Sequence, residues 1–82
     1  MSAARDVVEV LAGALTDAPD LVRVVESLHQ GTTLIELFVA SGHAGRVIGK
    51  QGRTAAALRA LAAAAGEKEG KTVTLEIRDG RP

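Results

Sequence analysis

Val47-Ile48-Gly49-Lys50-Gln51-Gly52-Arg53 is the stretch that decides how this chain is read. Gly49 and Gly52 bracket two polar residues, one of them cationic. Two β-branched apolar residues precede them and an alanine-rich run follows. Without Cβ atoms at 49 and 52 the chain can turn sharply, and a bulky ligand can come close to the main chain. A helix opening at Arg53 would set its first free N–H groups and the positive end of its dipole beside that turn. Lys50 and Arg53 add full charges. The chemistry suits a phosphate; a plain helix–helix turn is the alternative, and the cation between the glycines counts against it.

Working outward, the upstream flank reads as a short helix from about Gly42 to Ile48, capped by Ser41. The downstream flank reads as a helix from Arg53 to Ala65, with Leu58, Leu61, Ala62 and Ala65 facing inward and Gly66 as its C-terminal cap. Beyond a charged loop at 67–70, residues 71–78 alternate, with Val73, Leu75 and Ile77 on one face, as in a half-buried strand. Before the turn, Leu21–His29 and Thr32–Ala40 read as strands. The short Gln30-Gly31 connection makes them an antiparallel hairpin, with Ile35, Leu37 and Val39 on one face. Ser2 caps a first helix reaching about Thr16, with Val7, Val10, Leu11, Ala14 and Leu15 on one face, and Pro19 stops it. Residues 79–82 read as a frayed tail.

The resulting order is αββααβ. The two-helix crossover allows the second and third strands to lie parallel. The expectation is an α+β fold, a three-stranded mixed sheet covered on one face by three helices. At 82 residues the chain is read as a single domain, 1–82, without repeat or linker. A domain of this size buries roughly two-thirds of its unfolded surface.

Composition sets limits. Cysteine is absent, which excludes disulfides, thiolate metal sites and thiol nucleophiles. The two histidines are isolated, so no metal site is expected. No apolar leader and no membrane-length run occurs, so a cytoplasmic protein that does not engage a membrane is expected. Formal net charge is zero, but no acidic residue lies between Glu36 and Glu67, an interval that holds Arg46, Lys50, Arg53 and Arg59. A cationic segment therefore centres on the turn.

Spacing excludes two glycine motifs. A P-loop needs glycine at 44, where Ala44 stands, and Ser or Thr at 51, where Gln51 stands. The dinucleotide fingerprint needs glycine at 47, where Val47 stands. A helix-Gly-x-x-Gly-helix turn within αββααβ resembles instead the type II KH nucleic-acid module. The resemblance covers essentially the whole chain. More narrowly, the chain looks like the small bacterial single-KH proteins of the KhpA (YlqC-like) family. Val22-Arg23-Val24, Ile35-Glu36-Leu37, Gly45–Arg53, Ala57-Leu58-Arg59 and Lys68-Glu69-Gly70-Lys71 carry the likeness. It implies cytoplasmic RNA binding, often with a second KH-containing (KhpB-like) protein, and self-association in some members. Two departures stand out: Ser41-Gly42-His43 replaces an acidic stretch, and Phe38 replaces an outward polar residue.

The expected RNA-binding residues are Arg46, Ile48, Gly49, Lys50, Gln51, Gly52 and Arg53. Of Val47 and Ile48, one should enter the core and the other line the groove for bases, and Ile48 is favoured for the groove. Arg59 lies too far along its helix. Phe38 is the only aromatic and is expected to point away from the helices, so aromatic stacking of about 1–3 kcal/mol per base is largely missing. With about four nucleotides clamped, affinity should be on the order of micromolar or weaker. A dimer or partner would raise it; Ala55, Ala56, Ala60 and Ala63, or Phe38 and Leu34, are the candidate contact residues. No nucleophile–base pair can be assembled, so neither an enzyme nor a cofactor is expected. The function expected is single-stranded RNA binding, as a post-transcriptional regulator or RNA chaperone. The alternative is a protein-interaction module whose partner carries most of the RNA binding.

Overall fold

The computed structural model describes residues 2–80. Helix α1 spans Ala3–Leu15, strand β1 Arg23–His29, β2 Thr32–Val39, helix α2 Ala44–Ile48, α3 Arg53–Lys68 and β3 Thr72–Asp79. The order is the expected αββααβ. Strand β2 is central, antiparallel to β1 and parallel to β3. Gln30 and Gly31 both take positive φ, 50° and 82°. This matches the type I′ turn whose twist suits a two-residue hairpin.

In β2 the residues Ile35, Leu37 and Val39 are fully buried and meet Val24 and Leu75 from the neighbouring strands. Ala4, Val8 and Ala12 of α1, Val47 of α2, and Leu58 and Ala62 of α3 complete this core. All three helices thus cover one sheet face. Phe38 alternates to the other face, where its cross-strand partners are Arg23 and Arg78. It is only 8% exposed.

Several boundaries and faces differ from the sequence reading. Helix α1 enters the core through Ala4, Val8 and Ala12, and of the expected line Val7, Val10, Leu11, Ala14 and Leu15 only Leu11 packs against it, partly buried. Apolar residues run around most of this helix, and the smaller ones occupy the side toward the sheet. Val10 is left 70% exposed and Leu61 of α3, expected inside, 50%. A 3₁₀ turn at Pro19–Leu21 precedes β1, so that strand starts later than expected.

Helix α3 runs past Gly66 to Lys68. Gly66 is not its cap but a packing residue: a Cβ there would lie 2.4 Å from Val73 Cγ2 and 3.1 Å from the Lys71 carbonyl oxygen. The cap lies at Glu69-Gly70. Lys71 N–H donates to Gly66 O at 2.8 Å and Gly70 N–H to Glu67 O at 3.0 Å, the paired bonds of a Schellman motif.

Helix α2 begins at Ala44 after a turn at Ser41-Gly42, and no side chain of its own N-cap residue bonds to it. Its cap comes from far away. The Asp79 carboxylate accepts from Gly42 N–H at 2.8 Å and from Ala44 N–H at 3.2 Å. Asp79 therefore ends β3 rather than starting a frayed tail, and Gly80 N–H donates to Val39 O at 2.9 Å. Residues 81–82 of the expected tail lie outside the described residues.

Candidate nucleic-acid interface

The turn grows directly out of α2. Gly49 N–H still donates to Gly45 O at 2.9 Å, closing the last helical turn. The backbone then leaves the helix at Gly49, with φ 75° and ψ 175°. That region is essentially open to glycine alone. A tight 3₁₀ turn covers Lys50–Gly52, closed by Gly52 N–H donating to Gly49 O at 3.2 Å. Gln51 and Gly52 are both left-handed, with φ 58° and 72°. Helix α3 starts at once, at Arg53.

Gly49 is required for a second reason. A Cβ at this position would sit 2.3 Å from Thr54 Oγ1 and 2.7 Å from Thr54 Cβ. At Gly52 a Cβ would meet nothing within 4 Å, so only its φ asks for glycine there. Thr54 carries no sequence signal of its own, because its role is steric.

Lys50, Gln51 and Arg53 are exposed around this turn. Among the described residues neither Lys50 nor Arg53 takes part in an ion pair. Helix α3 has no side-chain cap at its N-terminus and no acidic residue in its first turn. Nothing anionic on α3 itself therefore offsets the positive end of its dipole. An anion set against the turn meets two exposed cations, a helix start and a backbone not screened by side chains at 49 and 52.

The other named residues fall into place around it. Val47 is fully buried, whereas Ile48 is 40% exposed. The pair thus divides as expected, one to the core and one to the surface beside the turn. Arg46, one turn earlier on α2, pairs through Nη1 with Asp17 Oδ2. Arg59 donates from Nε to the Leu75 carbonyl at 3.3 Å, which ties it to β3 and away from the turn.

Helix α2 buries a single residue, so polar contacts hold it in position. Asp79 takes its N-terminal N–H groups, Thr16 Oγ1 shares a hydrogen bond with His43 Nδ1 at 3.0 Å, and Asp17 holds Arg46. These partners lie between 27 and 37 residues away in the chain, and no local pattern announced them.

The αββααβ order, the helix–turn–helix glycine geometry and the mixed sheet together describe a type II KH domain. Over residues 5–77 the sequence matches the KH-domain family of KhpA and KhpB. The chain belongs to that family. A KhpA protein of Aquifex aeolicus, named as RNA-binding, is 52% identical over 77 residues, covering 94% of this chain and 98% of its own length. RNA-binding proteins KhpA of Caldanaerobacter subterraneus and Clostridium perfringens are 49% and 44% identical over 72 and 73 residues. Those matches cover 88% and 89% of this chain, and 96% and 97% of the relatives. No solved structure gives a significant match. Membership of the KhpA/KhpB family makes the chain a binding domain rather than an enzyme. Among the described residues, no helix is long and apolar enough to cross a membrane.

Proposed function

We propose that this chain binds single-stranded RNA, holding a short segment at the Gly49-Lys50-Gln51-Gly52 turn. The observation that carries the reading is the pair of exposed cations, Lys50 and Arg53, without an ion-pair partner among the described residues and set on a bare glycine turn at a helix start that has no side-chain cap. The names of its relatives support it. Phosphates approach the backbone at Gly49 and Gly52, Lys50 and Arg53 neutralise them, and Ile48 offers an aliphatic surface to a base. Gln51 supplies an uncharged hydrogen-bonding group. Arg46 reaches a phosphate on the α2 side. The role this fits is a cytoplasmic post-transcriptional regulator or RNA chaperone.

The clamp is short and lacks aromatic stacking, so the same reading includes pairing with a second copy or with another KH protein of the KhpB kind. The surface suited to this is the apolar groove between α1 and α3, lined by Val7, Val10, Leu11, Leu15, Ala57 and Leu61. Of the two patches read from sequence, Ala55 at 3% and Phe38 at 8% exposure are too buried to serve as contacts, whereas Ala56 and Ala60 are exposed on α3. The groove ends at Thr54, directly behind the turn. The same groove favours a second reading, a protein-interaction module whose partner carries most of the RNA binding.

One experiment separates the two. Changing Lys50 and Gln51 together to Asp places negative charge where phosphate should sit. These side chains are exposed, so stability should shift by no more than about 0.5 kcal/mol. RNA affinity should collapse while the circular dichroism spectrum stays that of the parent. A folded double variant that binds RNA as well as the parent favours the interaction module.

A further inference from the structure

Not every cation near the turn is free. Lys50 and Arg53 have no anionic partner among the described residues, but the Arg46 guanidinium is held by the Asp17 carboxylate. The acid reaches it from the α1–β1 connection, 29 residues away.

Asp17 does not dangle there by chance of a loose loop. Its neighbour Thr16 is 8% exposed, and Thr16 Oγ1 accepts from Ala18 N–H at 3.2 Å while also meeting His43 Nδ1 at 3.0 Å. On the other side, Pro19 opens a 3₁₀ turn in which Leu21 N–H donates to Ala18 O at 3.0 Å. The segment is thus fastened on both sides of Asp17, and one of those fastenings is to His43, the residue that precedes α2. Little side-chain freedom is lost in keeping a short Asp beside Arg46. Both charged groups stay open to solvent, with side-chain exposures of 52% and 75%.

We propose that Asp17 is an internal competitor for phosphate at Arg46, a carboxylate that occupies the guanidinium until a strand already anchored at Lys50 and Arg53 displaces it. This rests on the RNA reading given above, in which Arg46 meets a phosphate, and adds to it that Asp17 gates that contact. A carboxylate and a phosphate oxygen compete for the same planar fork of donors. Because the pair is exposed it is weak, so displacement is easy for a tethered phosphate and hard for a free one. The chain thereby favours strands long enough to reach from the turn to α2 over isolated phosphates.

The test uses the full chain and a fluorescein-labelled single-stranded RNA of randomised sequence, followed by anisotropy across a salt series. Asp17→Asn keeps the size of the side chain and removes its charge. It should tighten binding roughly 1.5- to fivefold, the scale of one exposed ion pair. It should also steepen the log–log salt slope by up to about 0.7, one added single-strand phosphate contact. Arg46→Ala should weaken binding more in the Asp17→Asn background than in the parent, and Asp17→Asn should lose its effect once Arg46 is gone. Equal or weaker binding by Asp17→Asn, or the same gain without Arg46, overturns the proposal.

An RNA-free measurement keeps the two readings apart. The Arg46 Nε–Hε group should show a lower heteronuclear NOE in Asp17→Asn than in the parent. An Arg46 side chain equally ordered in both overturns the competitor role whatever the RNA does. Undiminished RNA binding by the Lys50→Asp, Gln51→Asp variant instead removes the RNA reading on which the proposal stands.

Discussion

Thr54 Oγ1 fills the space that a Cβ on Gly49 would need, 2.3 Å away. The turn is therefore fixed from within α3 as well as by its own dihedral angles. At Gly52 the corresponding space is empty. The two glycines of one motif thus have different requirements. Gly49→Ala should destabilise by about 2–4 kcal/mol, combining a glycine-only conformation with overpacking. Gly52→Ala should cost about 1–2 kcal/mol, the left-handed penalty alone, and Gly52→Asn less. Urea midpoints of the three variants measure this; equal losses at both positions would contradict the steric role of Thr54.

The charges at the turn should appear in the salt dependence of binding. Contact with about two to four phosphates gives a log–log slope of roughly −1.4 to −3 for a single strand. Lys50→Ala should make it shallower by up to about 0.7, one contact. Arg59→Ala should leave it unchanged, because Arg59 is committed to the Leu75 carbonyl at 3.3 Å. Titrations of the parent and both variants check this, and a parent slope near zero would mean that the cations at the turn are idle.

Asp79 should matter more than its place near the chain end suggests. Its carboxylate accepts two N–H groups at the start of α2, at 2.8 and 3.2 Å. Asp79→Ala leaves them to water and should cost about 0.5–2 kcal/mol, as loss of a helix cap does. Amide hydrogen exchange should quicken at Val47–Gly49 before it does in β2. Unchanged exchange there would show that α2 does not depend on this cap.

Much of the fold is legible because its signals are local. The β2 alternation of Ile35, Leu37 and Val39, the Gln30-Gly31 turn and the glycine pair each occupy neighbouring positions. The turn is legible for the same reason: Ile48 to Arg53 is one continuous stretch. The inward face of α1 is not, since Ala4, Val7, Val8, Val10, Leu11, Ala12, Ala14 and Leu15 leave little polar contrast around it. Nor is the role of Gly66, whose neighbour Val73 comes from the following strand. Asp17 and Asp79 act on α2 across 29 to 37 residues, a separation at which one sequence carries no pattern.

The exposed apolar groove supplies the last expectation. Val10 at 70% and Leu61 at 50% exposure lie side by side between α1 and α3. Exposed apolar patches of this kind mark contact surfaces, and a symmetric pair would use the groove on both copies. Sedimentation equilibrium from micromolar to near-millimolar concentration should show reversible self-association. Leu61→Asp and Val10→Asp should each abolish it while the chain stays folded, because both side chains already face solvent. Ala55→Asp is the contrast: at 3% exposure it would bury an unpaired carboxylate and unfold the chain rather than dissociate it. If pairing supplies the second RNA site, Leu61→Asp should also lower RNA affinity steeply, within the roughly 10²–10⁴-fold that two linked sites can add. A parent monomeric over the whole range, with no KH protein retained from cells by the parent and lost by Leu61→Asp, would rule this face out as an interface.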